Sequence, residues 1–165
     1  MKVRDAFGLE VTAITIERGW KMTTLLAEYS ALPNCFAFAP ADPASLVSQT
    51  IQIAQNQSDL VQKLTIIGHG SASGVEIGSH FVELSNFDDY DKQFQKLRQV
   101  LSGESFVFIR GCVVGQNEKL MVRFAKAFSV TVYAGTSAEN ALLPFNTGDY
   151  VVAYPGGDVY ATKRP

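Results

Sequence analysis

His69 and Cys112 are the residues whose chemistry and settings match in this sequence. His69 stands between two glycines, Gly68 and Gly70, directly after the apolar run LTII. Cys112 follows Gly111 at the end of a second apolar run, in FVFIRGC. A thiol beside an imidazole becomes a better nucleophile, because the ring takes its proton or stabilises the thiolate. Such a pair is suited to acyl transfer through a thioester, with no metal or cofactor called for. Gly70 leaves room for a substrate backbone. Its N–H and that of Cys112 are the candidate donors to a developing oxyanion. The helical pattern after Cys112 is expected to aim its positive N-terminal end at the thiolate.

The elements that must position this pair are legible as alternating strand and helix patterns. LEVTAITI alternates with β-branched residues and predicts a first strand. Met22, Leu25, Leu26 and Tyr29 form a helical stripe, and Asn34 to Phe38 predicts a short strand. Asp42-Pro43 opens a helix running to about Gln57, with proline in its first turn. After LTII, GVEIGSHFVEL predicts a hairpin turning at Gly78-Ser79. A helix is expected over Asp88 to Leu101, stopped by Gly103, and another over Glu118 to Phe128. Val130 to Ala134 predicts a further buried strand, and Tyr150 to Tyr160 a hairpin around Pro155-Gly156-Gly157. Continuous apolar strands alternating with helices imply a mostly parallel sheet with helices on both faces, a three-layer α/β/α fold. Right-handed crossovers then bring the carboxyl ends of the parallel strands to one edge, where ligands bind in such sheets. His69 and Cys112 both fall at that edge.

IIGHGSASG followed by FVFIRGCVVG resembles the caspase-like, clan CD cysteine peptidases, which include caspases, legumains, gingipains and the self-cleaving domains of large bacterial toxins. The Gly-Cys form and the short hairpin after the histidine look nearest to the toxin-processing and CHAT-like branches. The resemblance covers roughly Leu64 to Ala134. It implies a caspase-like fold over a single domain, residues 1–165, and a cysteine endopeptidase that cleaves a protein substrate or its own precursor. It further implies His69 as general base or acid, Cys112 as nucleophile and Gly70 as an oxyanion donor. In several members the residue two before the cysteine lines the pocket for the substrate's P1 side chain. Here that residue is Arg110, whose charge favours an acidic P1 residue. The long cleft loops of caspases and the basic pocket for inositol phosphate have no counterpart in the sequence. The alternative function is a catalytically inactive caspase-like module that binds a partner protein.

Composition narrows the other classes. Across 165 residues, 47% are hydrophobic and 18% charged, which fits a globular chain with a sizeable core. The net charge is −2 and no Lys/Arg cluster is present, so neither nucleic acid nor an anionic membrane is an expected partner. The expected partner is a peptide or protein substrate, and the oligomeric state is open, since an edge strand near the C-terminus can pair two copies or remain free. Asp5, Glu10, Glu17 and Arg18 interrupt the first residues, which therefore lack the apolar stretch of a signal peptide. A reducing compartment is the default for two distant cysteines, and export as an effector without a classical leader is the other option. With two His and two Cys, a zinc site is not expected. GHGSASG lacks the lysine of a phosphate loop, and Arg110 and Val114 do not fit the small positions of a nucleophile elbow.

Several residues read more simply. Cys35, in Phe-Ala-Phe company, is expected in the core. Asp88, Asp89 and Asp91 fit the N-terminus of a helix, and His80 fits a strand position. Ser71 and Ser73 fill a loop, while Glu76 and Glu83 are expected to face solvent. For Cys112 the plain alternative is a buried structural thiol. For His69 it is a loop cap or a bond to a backbone carbonyl.

Overall fold

The computed structural model describes residues 8–16, 20–138 and 149–165. Asp5, Glu17, Arg18 and the side chain of Met22 lie outside the described residues. In chain order the elements are β1 (Leu9–Ile14), α1 (Trp20–Ser30), β2 (Cys35–Phe38), α2 (Pro43–Gln57), β3 (Val61–Ile67), β4 (Gly74–Ile77), β5 (His80–Glu83), α3 (Asp88–Gln95), β6 (Leu101–Arg110), α4 (Glu118–Phe128), β7 (Thr131–Gly135), β8 (Tyr150–Ala153) and β9 (Val159–Thr162).

Seven strands form one sheet in the order β2-β1-β3-β6-β7-β8-β9, and β4 pairs with β5 in a separate hairpin. The run from β2 to β7 is parallel, and β8 and β9 add antiparallel pairs at the end. The chain steps from β1 outward to β2, then back across β1 to β3. This reversal is the topological switch point at which open parallel sheets bind ligands.

Alternation along the strands fills two layers. Val11, Ala13, Leu64, Ile66, Val107, Ile109, Val132 and Ala134 are buried in the main core with Leu46, Val47, Phe94, Leu97, Leu120 and Phe124 from α2, α3, α4 and the turn after α3. The next residues along, Ile14 and Ile67, point to the opposite face and pack with Leu25, Leu26 and Tyr29 of α1. The three-layer α/β/α expectation is met, with α2, α3 and α4 on one face and α1 on the other. No helix among the described residues is long and apolar enough to cross a membrane.

Local sequence explains most boundaries. Asp42 accepts from Ser45 N at 2.7 Å, while the Ser45 hydroxyl accepts from the Asp42 N–H at 3.1 Å, which caps α2 reciprocally. Gly78 has φ +60 at the first central position of the two-residue turn between β4 and β5, as the predicted turn requires. The helix expected over Asp88 to Leu101 is shorter: α3 ends at Gln95, and Lys96–Gln99 form a 3-10 turn. Leu101 instead begins β6, because Val61 pairs with it and the Val61 N–H binds Val100 O at 2.8 Å. Gly103 is therefore an exposed residue at the irregular start of β6 and does not stop a helix.

Candidate active site

The β3–β6 register decides where the two candidate residues lie. Ile66 pairs with Ile109 and Ile67 with Arg110, and the Gly68 N–H donates to Arg110 O at 3.2 Å. His69 and Cys112 each follow two residues later, beyond the carboxyl ends of these neighbouring strands, which run about 4.8 Å apart. The two loops are in direct backbone contact. A Cβ on Gly70 would lie 2.5 Å from Val114 Cγ2 and 2.9 Å from both N and O of Cys112. A Cβ on Gly111 would lie 3.3 Å from Gly70 Cα. Glycine at 70 is thus a condition for the His69 and Cys112 segments to touch. His69 is exposed and Cys112 is half-buried, so the edge is open to solvent at both.

The β4–β5 hairpin holds the His69 side of this edge. Gly70 and Val75 form an antiparallel bridge, with bonds from Glu76 N to His69 O at 2.8 Å and from Ser71 N to Gly74 O at 2.9 Å. In that pattern the Gly70 N–H takes no part in the bonds to β4 and points away from it. Ser71 Oγ and Ser73 Oγ lie 2.8 Å apart in the loop, consistent with loop packing. Glu76 and Glu83, expected in solvent, are half-buried. Glu83 also accepts from the Ser85 hydroxyl at 2.6 Å.

The Cys112 side is held by the segment just past β7. The Val113 N–H donates to Ser137 O at 3.1 Å, and the Gln116 side-chain amide donates to Thr136 O at 2.7 Å. Val113 has φ +51, a left-handed conformation that disfavours a β-branched residue and stores about 1–3 kcal/mol of strain. The sequence contains no signal for this, since valine is among the residues least suited to it. The helix dipole expected at Cys112 is not there. Val114–Gln116 is a single 3-10 turn, and α4 starts only at Glu118, where Asn117 Oδ1 accepts from Leu120 N at 3.1 Å. The side chain of Asn117 therefore occupies the helix N-terminus.

Arg110 is the last residue of β6 and is only 4% exposed. It shares its face with its register partner Ile67, toward α1, and its Nη1 donates to the Tyr29 hydroxyl at 2.9 Å. The guanidinium thus lies under the edge that carries Cys112, two residues back along the chain. Tyr29 is a member of this site that sequence reading treated only as an apolar stripe residue.

The remaining candidates fall away from the edge. Cys35 is buried at the start of β2, with Thr12 Oγ1 4.0 Å from its sulfur, and burial pushes its thiol pKa up. Both cysteines are free. Asp88, Asp89 and Asp91 lie in the first turn of α3, where they offset the helix dipole, and Asp88 pairs with Arg123 at 2.6 Å. Phe87, and not an aspartate, is the N-cap residue. His80 lies in β5 with its Nδ1 3.1 Å from the Ser79 hydroxyl. Among the described residues no three His, Cys, Asp or Glu side chains gather to hold a metal ion.

Comparison with known proteins adds a family and a structural likeness. The crystal structure of Chaetomium thermophilum Raptor is similar at 11% identity with a TM-score of 0.44, over 80% of this chain. This chain spans 15% of the length of that one. No curated protein sequence matches it. The family described as a domain of unknown function (DUF4347) matches residues 21–142, and the chain belongs to that family.

Proposed function

We propose that this chain is a cysteine endopeptidase of the caspase-like kind, with Cys112 as nucleophile and His69 as the group that moves the proton. The observation that carries the reading is the β3–β6 register, which sets the ends of the two strands side by side. The close approach of Gly70 to the Cys112 backbone supports it. In the reaction the Cys112 sulfur attacks the scissile carbonyl carbon, and its proton passes to the His69 imidazole. The N–H groups of Gly70 and Cys112 bind the oxyanion. Collapse breaks the C–N bond, His69 protonates the leaving amine, and a thioester on Cys112 remains. Water, deprotonated by His69, then attacks the thioester and frees the thiol.

The substrate is an extended peptide segment of another protein or of the chain's own precursor, and an acidic P1 residue is favoured by Arg110. The strength of that preference depends on Tyr29, which holds one end of the guanidinium. A reducing compartment suits the two free thiols, whether the protein acts in the cytoplasm or is exported as an effector.

Iodoacetamide tests the dyad directly. Cys112 is expected to alkylate faster than a free thiol near neutral pH, with a pH profile that the His69→Ala variant loses. Cleavage of a peptide library by the wild type and not by Cys112→Ala, with Asp or Glu at P1, completes the test. A Cys112 no more reactive than a free thiol defeats the peptidase reading and leaves a module that binds a partner protein. A preference for Lys or Arg at P1 defeats the role of Arg110 alone.

A further inference from the structure

We propose that Thr15 is a positioning residue for His69, an inference that rests on the His69–Cys112 reading. Thr15 follows β1 at the switch point and is 2% exposed. Its N–H donates to Ile67 O at 2.8 Å, which holds it against the end of β3. Its hydroxyl then joins the sheet to the hairpin twice. Oγ1 accepts from Gly78 N at 2.9 Å and donates to Glu76 O at 3.2 Å. The other side of the same residue, the Glu76 N–H, holds His69 O at 2.8 Å. One hydroxyl thus fixes the hairpin residue that fixes the histidine.

The surroundings fit this role. Gly68 has no side chain, and a Cβ there would lie 3.3 Å from Thr15 Oγ1 and clash with the Glu76 carbonyl. The hairpin's far end is tied separately, by Ser79 N to Ala41 O at 2.9 Å. Between that tie and the Gly70–Val75 bridge, the Thr15 hydroxyl joins the sheet to the middle of the hairpin. Without its hydroxyl the hairpin keeps its own ladder but loses its height above the sheet. His69 then moves relative to Cys112, whose loop has further ties to Thr136 and Ser137, just past β7.

Valine has nearly the shape of threonine and suits a strand end as well, so Thr15→Val removes the hydroxyl with little change in bulk. A residue with only a packing role would leave the chemistry of Cys112 unchanged. The experiment measures alkylation of Cys112 by iodoacetamide from pH 5 to pH 9, quantified by peptide mass, in the wild type, His69→Ala, Thr15→Val and Thr15→Ser. Thr15→Val is expected to slow the reaction near neutral pH about tenfold, toward the His69→Ala profile, as the loss of about one net hydrogen bond implies. Thr15→Ser, which keeps the hydroxyl, is expected to restore the wild-type profile. Thr15→Val following the wild type, or Thr15→Ser as slow as Thr15→Val, overturns the proposal. Equal profiles in the wild type and His69→Ala overturn the dyad itself, which is a different result. If Thr15→Val does not melt cooperatively, amide exchange in the wild type decides. A Gly78 N–H protected like the sheet supports the latch, and exchange at open-loop rates overturns it.

Discussion

At the scale of single residues, the site depends on absent side chains as much as on reactive ones. Gly70 admits the Cys112 backbone, and no larger residue fits without moving one loop. Gly70→Ala is therefore expected to lower stability by about 1–3 kcal/mol, because the added methyl meets backbone atoms and cannot be accommodated by a rotamer change. Thermal melts and Cys112 alkylation check this together. A variant with wild-type stability and reactivity contradicts the close approach. Arg110 shows the limit of sequence reading at this scale. Its place before Cys112 was legible, but its burial and its bond to Tyr29 were not, because Tyr29 is brought in from α1 on a distant part of the chain. Val113 was invisible for a stronger reason, since its left-handed backbone runs against its own propensity.

At the scale of elements, periodicity served well where one face packs on the core. In α4 the buried residues Leu120, Met121, Phe124 and Phe128 fall on one helical face, and its bounds matched expectation. The aromatic contacts there are dense: Phe124 lies 5.0 Å from Phe87 and 5.6 Å from Phe94, ring centre to ring centre. Phe124→Ala is expected to cost about 3–5 kcal/mol in chemical denaturation, since a fully buried ring leaves a cavity that these rigid neighbours cannot close. A loss below about 1 kcal/mol would show that the α3–α4 layer repacks freely. The helix expected through Leu101 failed because a helical stripe of apolar residues also fits a turn that delivers the chain into a strand. Pairing of Val61 with Leu101, which no local pattern reports, settled the boundary.

At the scale of the molecule, the sheet separates the two cysteines. Cys35 aligns through Glu10 and Lys63 with Phe106, whereas Cys112 lies beyond the far end of the same strand. From Phe106 to the end of β6 at Arg110 the offset is already about 13 Å along the strand direction alone, far outside disulfide reach. Mild oxidation of the native protein is expected to form no Cys35–Cys112 bridge, and the same treatment in denaturant is expected to allow one. Native labelling near pH 8 is expected at Cys112 and not at Cys35, whose buried thiol holds its proton to higher pH. A native intramolecular bridge, seen as a mobility shift without reductant, contradicts the strand order.

The sequence by itself determined the residue chemistry, the alternation of strands and helices, the hairpin after His69 and the parallel character of the sheet. These are written in local periodicity, turn glycines and caps, which act over a few residues. Tertiary structure alone decided that β3 and β6 are neighbours in a register that ends both strands at one edge, just before His69 and Cys112. It also decided that Thr15 reaches the hairpin, that Arg110 lies buried against α1, and that α4 begins too late to serve Cys112. Register and burial arise from pairing between distant segments, and a one-residue slip would turn each side chain to the opposite face without altering any local pattern.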